Sequence, residues 1–318
     1  MRRSEPGRLA SALIALPVLL VSTTLGGQTL YKYRGPAGEW IYADRPPDGG
    51  EVAEVRDLGG RSVADQVSVF TFDRSGAVHF TAVNPFHAPV ELIIRFSRIE
   101  GLEFPDPEQT LAWVVPARSR MPLLALARLE DDAIPQARYE FEYMIGRPGV
   151  AHRPSEPYRV PFAVASEFTV TQAYPDVVTH TTLDSRFAID IAMPIGTDIF
   201  AAREGVVFDV SSDNFRSGLD PVRDGPAANV VRILHEDGTY AVYAHLNWNS
   251  IRVRPGDYVR RGEYIADSGN TGFSSGPHLH FVVMRNTGMR AESIPVVFKS
   301  SEAVGSITPA SGATLRAY

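Results

Sequence analysis

Cysteine is absent from this 318-residue chain. No disulfide can staple the fold, and thiolate metal sites and cysteine nucleophiles are excluded. Any transition metal must be held by histidines and carboxylates, and stability must come from burial, which a chain of this length permits. Positive charge is also in short supply. The 31 Lys and Arg are outnumbered by 37 Asp and Glu, for a net charge of −6, and no basic run follows the first ten positions. Neutralising a phosphate backbone needs clustered cations, so no nucleic-acid partner is expected. Long apolar runs are lacking too. The stretch 9–21 (LASALIALPVLLV) is too short for a comfortable span and carries Pro17. Arg2, Arg3 and Arg8 precede it and small or polar residues follow to Gly27. It reads as an export signal over 1–27, leaving the bulk of the protein in the periplasm or cell envelope with no stable membrane span after cleavage.

Helical periodicity is rare, and what replaces it is β. In 28–65, Tyr31-Lys32-Tyr33 and Trp40-Ile41-Tyr42 alternate around a Gly-Pro-Ala-Gly turn, the pattern of a short hairpin module followed by a linker. Over 66–165, runs such as VSVFTF, AVHFTAV, PVELIIRFS and YEFEYMI are separated by Gly, Pro, Asp and Asn at the spacing of a β-sandwich-like domain. Over 166–298 the strands DIFAAREGVVFDV, NVVRILHED, TYAVYAHL and PHLHFVVM are punctuated by glycine turns. The fold class expected is therefore mainly β: a sandwich-like domain followed by a Gly-rich antiparallel β domain. Residues 299–318 are small and polar and read as a flexible tail.

The chemistry-bearing residues fall in the second domain. His278 and His280 lie two apart in a β run, so they project from one face while Leu279 and Phe281 point to the other. Two adjacent imidazoles are costly to bury unless both find a partner, and a metal supplies one. His245 ends another strand, in Tyr243-Ala244-His245-Leu246. Asp190 sits in Phe187-Ala188-Ile189-Asp190-Ile191-Ala192-Met193, where a carboxylate is expensive unless paired with a cation. A salt bridge to Arg186 is the bland explanation. His180 lies upstream in a polar loop, free to reach the strand end. Two histidines and a carboxylate with an open fourth position suit catalytic zinc better than magnesium, which prefers oxygens, or softer metals, which prefer sulfur. His79, His87 and His152 have no companion at ligand spacing. His235, beside the Asp237-Gly238 turn, reads as a structural histidine.

These residues occur within four blocks in order: AIDIAMPIGTDIFAAREGVV, VVRILHEDGTYAVYAHLN, VRPGDYVRRGEYIADSGNTG and SSGPHLHF. Through them, residues 170–298 resemble the LytM/lysostaphin-like zinc metallopeptidases. The resemblance implies a peptidase acting on peptidoglycan cross-links, with Asp190 and His280 as zinc ligands and His245 and His278 flanking the reacting carbonyl. In the commonest form of that family the first ligand stands four residues before the Asp. Here that position is Arg186, which cannot bind a cation, so the resemblance assigns the first ligand to His180. It further implies metal-assisted amide hydrolysis. His278 would be the general base and proton donor to the leaving amine. His245 would orient the water or hold the oxyanion, and the two roles could be exchanged. The N-terminal module is similar to one found on exported proteobacterial proteins, which would make the substrate linkage one between D-alanine and diaminopimelate. The competing expectation is a catalytically degenerate domain that regulates a cell-wall amidase or binds peptidoglycan.

Overall fold

In the computed structural model, the described residues are 66–104, 110–130, 135–300 and 305–318, with the strand backbones at Ala10–Leu13, Gln28–Arg34, Trp40–Ala43 and Val52–Leu58. The rest of the expected export signal and of the 28–65 linker lies outside them. The chain divides into two compact units, Ala15–Gln66 and the remainder. In the smaller unit Gln28–Arg34 pairs with Trp40–Ala43 on one side and Val52–Leu58 on the other, all antiparallel.

The larger unit is built of strands. Its first half holds two antiparallel sheets. One places Val90–Glu100 between Gln136–Ile145 and Leu111–Val115; the other places Ala77–Asn84 between Ser68–Arg74 and Ser119–Ala127. Period-two burial makes the sandwich. Along Gln136–Ile145, Ala137, Tyr139 and Phe141 are buried while Arg138 and Glu140 are exposed. Phe80, Leu92, Ile94 and Tyr139 fill the space between the sheets, each burial stabilising the fold by about 1.5–3 kcal/mol.

The second half is organised around a nine-stranded antiparallel sheet. Its path runs Tyr258–Val259, Gly205–Ser211, Val230–Leu234, Tyr240–Ala244, His278–Asn286, Ile189–Ala192, Glu167–Gln172 and Thr314–Arg316; Ala291–Ile294 also pairs with His278–Asn286. The sheet is apolar on both faces near its centre. One face packs Tyr243, Leu279, Phe281, Val283 and Ile191 against Ile199 and Ile265 of a second, two-stranded layer. On the other face Val242, Val282 and Met284 meet Ala88 and Met144 from the first half. This junction is pinned by Glu91, whose Oε2 accepts from Asn286 Nδ2 at 2.8 Å and from the Met289 amide at 2.7 Å.

The flexible tail expected over 299–318 does not fit its described residues 305–318. Residues 314–316 pair with Glu167–Thr169 as a strand of the main sheet, and Leu315 and Ala317 are buried in the core. Two alternating apolar residues suffice when a sheet edge is waiting to be covered.

Candidate metal and catalytic centre

A single cross-strand row carries the centre. Ala244 lies opposite His280, His280 opposite Asp190, and Asp190 opposite Gln172. Because facing residues in an antiparallel sheet share a side, the row brings an imidazole, a carboxylate and an amide next to one another. His278, two residues before His280, projects from the same face. All four residues of the row are buried.

His180 enters from the loop before the Asp190 strand. Its Nδ1 donates to the Ala188 carbonyl at 3.2 Å, which leaves Nε2 carrying a lone pair. That Nε2 is 3.2 Å from Asp190 Oδ2, while His280 Nδ1 is 2.8 Å from Asp190 Oδ1. Ligand atoms of His180, Asp190 and His280 all lie within 4.8 Å of one another. Two lone pairs facing at such a distance repel unless a cation sits between them. Neither Arg nor Lys is among these contacts, so the donor set fits a divalent ion such as zinc: two imidazoles and one carboxylate, with room for a further ligand. Arg186, at the position expected for the bland salt bridge, is exposed. Within the described residues the carboxylate has only histidines and Gln172 as side-chain partners.

His245 and His278 stand beside this group. Their rings are 4.6 Å apart between centroids, and His245 is 5.8 Å from His280. Both are held by the same device. His245 Nδ1 donates to Thr271 O at 2.7 Å, and His278 Nδ1 donates to Gly276 O at 2.8 Å. Each therefore presents an Nε2 lone pair, and that of His278 lies 3.7 Å from Asp190 Oδ1. His245 adopts a left-handed backbone at φ 61°, a conformation costly for a residue with a Cβ and typical of functional positions. The loop that receives it is equally constrained. Gly272 has φ +86°, and a Cβ there would stand 2.7 Å from Ala228 Cα. Only glycine lets Thr271 present its carbonyl to His245 in that turn.

Burial and charge act in opposite directions on these groups. Burial alone would raise the Asp190 carboxyl. The close contacts with His180 and His280 outweigh it and hold the group well below the ordinary carboxylate range. Burial lowers His280, partly offset by Asp190. Burial lowers His245 to about 3, and the charges of His278 and His280 add to the effect. Burial thus drives His245 and His280 toward the neutral form beside an ionised carboxylate, the form in which an imidazole can ligate a metal.

The remaining histidines are elsewhere. His79 stacks on Phe72 with centroids 5.1 Å apart. His152 contacts the Tyr158 hydroxyl at 3.0 Å, and His87 lies over Gly256. His235 is buried and its Nδ1 donates to Glu204 O at 2.7 Å. Sequence reasoning missed Gln172. A polar residue ending the run Thr169-Val170-Thr171 reads as solvent-facing, and the irregularity that turns it inward leaves no compositional trace.

Residues 185–291 match Peptidase family M23, a span that contains Asp190, His245, His278 and His280 and begins just after His180. Lysostaphin of Staphylococcus simulans is 32% identical over 129 residues, 39% of this chain and 24% of that protein. Peptidoglycan DD-endopeptidase ShyA of Vibrio cholerae is 34% identical over 113 residues, 35% of this chain and 23% of that protein. The chain thus spans about a quarter of the length of these curated relatives. Among solved structures, the catalytic domain of a mutant prophage-encoded M23 protein from Enterococcus faecalis is 30% identical with a TM-score of 0.32, covering 42% of this chain and 92% of that one.

Proposed function

Because residues 185–291 form a Peptidase family M23 domain, we propose that this protein is a zinc-dependent endopeptidase that hydrolyses peptide cross-links of peptidoglycan in the cell envelope. The observation that carries the reading is the convergence of His180, Asp190 and His280 within 4.8 Å, beside two histidines whose Nε2 lone pairs are both free for proton chemistry. A degenerate binding domain would be expected to lack a ligand or a base; here His180 stands in for the ligand position that Arg186 occupies, and the other four residues are present.

His180 through Nε2, Asp190 through its carboxylate and His280 would hold the ion. When bound, zinc supplies Lewis acidity, lowering the pKa of water and polarising the scissile carbonyl. The chain's own groups do the rest. His278 takes the proton of the attacking water on Nε2 and passes it to the leaving amine. Its Nδ1–H stays anchored to Gly276 O, and the positive charge it gains is offset by Asp190 Oδ1 at 3.7 Å. His245, neutral and with Nδ1–H committed to Thr271 O, can only accept at Nε2. It therefore orients the water and does not donate to the oxyanion. The Ser268–Gly276 loop walls one side of the groove, and its small residues let an extended peptide lie against backbone. The sequence-derived preference for a D-alanine–diaminopimelate linkage belongs to the same proposal.

The test is digestion of purified cross-linked sacculi by the full chain with and without chelator, with products identified by mass. Cleaved cross-links that disappear with chelator and return with zinc support the reading. Intact sacculi under all conditions, with no zinc retained by the protein, would sink it.

A further inference from the structure

His180 is the one member of the metal group that no strand holds. Asp190 and His280 are fixed by pairing on both sides, whereas His180 belongs to the loop between Gln172 and Ile189. Something must keep its Nε2 beside the carboxylate. Gln172 is buried and reaches both. Its Oε1 accepts from the backbone amides of Val178 and of Thr179, the latter at 2.7 Å. Its Nε2 donates to Thr179 Oγ1 at 2.9 Å and to Asp190 Oδ2 at 2.8 Å, and it lies 3.2 Å from His180 Nε2. The two backbone donors fix which end of the amide is oxygen, so the NH₂ group must face the carboxylate and the imidazole.

Gln172 arrives there through a local irregularity. Val170 pairs with Ile191, so regular antiparallel pairing would set Thr171 against Asp190. A one-residue shift sets Gln172 there instead. The extra residue leaves Thr171 exposed and turns the longer amide inward. Bulges recur next to active sites because they re-aim a side chain in this way.

We propose that Gln172 is a positioning residue of the metal centre. Its carbonyl end clips the His180 loop to the sheet, which sets the imidazole beside the carboxylate, and its NH₂ end holds Asp190 Oδ2 in place. It ligates nothing and touches no substrate; it acts through His180 and Asp190. This inference rests on the metallopeptidase reading above.

The experiment uses the full chain and zinc, with competition against a chromophoric chelator and hydrogen exchange at individual amides. Q172M keeps the length and loses every hydrogen bond. It is expected to weaken zinc binding about 10–100-fold, the usual cost of losing a partner of a metal ligand, and to speed exchange at Val178 and Thr179 while Ile191 stays protected. Q172E keeps an acceptor and is expected to retain protection at those two amides. Zinc affinity in Q172M within twofold of the unaltered protein overturns the inference, as does unchanged exchange at Val178 and Thr179. Those results leave the metallopeptidase reading standing if the unaltered protein binds one zinc that H280A loses. Failure of the unaltered protein to bind zinc overturns both.

Discussion

Two histidine clusters lie on opposite faces of the His278–Asn286 strand, and they differ in how their charge is balanced. On one face is His280 with His180 and Asp190. On the other, Phe281 packs against Tyr158, whose ring meets His235 and whose hydroxyl meets His152. Burial does not separate the two clusters: His180 is 2% exposed and His235 is 3%. Nor does an unpartnered ring nitrogen, since Nε2 of both His235 and His280 is buried without a hydrogen-bond partner. The difference is charge balance. The second cluster contains its own cation, Arg203, bound to Asp237 at 2.7 Å, and that carboxylate also accepts from Thr239 and the Arg153 amide. Asp190 has no such partner among the described residues. Its cluster has an anion among imidazoles, and in the proposed function the balancing positive charge is the ion's.

Substitutions should therefore separate the clusters by what they damage. The largest effect is expected from H280A. Loss of a ligand forfeits several kcal/mol of transition-state stabilisation, on the order of 10³-fold in rate at about 1.4 kcal/mol per tenfold. Sacculus digestion and zinc content should fall together, whereas H235N should leave both unchanged. Zinc retained by H280A at full stoichiometry would erase the contrast. H278A is expected to lose about 10²–10⁴-fold in rate, the range for a general acid–base group, while retaining zinc.

On the opposite face the damage should appear in stability. Breaking the buried Arg203–Asp237 pair with D237A is expected to cost about 3–5 kcal/mol by denaturant titration, because it strands a cation away from water. Zinc affinity should not change. His235 adds a pH dependence. Burial lowers its pKa from 6.5 to about 4, so between those values the unfolded chain binds a proton that the folded chain does not. Stability from this residue is complete above pH 6.5 and is lost as pH falls through 4, amounting to roughly 3 kcal/mol. Comparing the profile with that of H235N isolates the term; identical slopes between pH 6.5 and 4 would refute it.

The sequence made one face of this strand easier to read than the other. Period-two patterning puts His278 and His280 on one side, and an aspartate inside an apolar run announces an unusual environment. What it could not display is pairing between distant segments. Gln172 faces the centre only because of a one-residue shift against Asp190. Met284 is covered only because Met144 reaches it from the first half. The tail pairs with Glu167–Thr169 from more than 140 residues away in sequence, and composition carries no signal for that. The second cluster was equally hidden, since Arg203, His235 and Tyr158 come from three separate segments.

The smallest expected effect concerns position 186, where the commonest form of the family carries its first ligand. Arg186 is exposed and lies outside the His180–Asp190–His280 group. If the ligand has moved to His180, the side chain at 186 has no part in holding the ion, and R186A should behave as an ordinary surface substitution, within about 0.5 kcal/mol in stability and unchanged in zinc content. H180A, by contrast, should lose zinc as H280A does. Zinc retained by H180A at full stoichiometry would remove His180 from the ligand set and overturn that assignment.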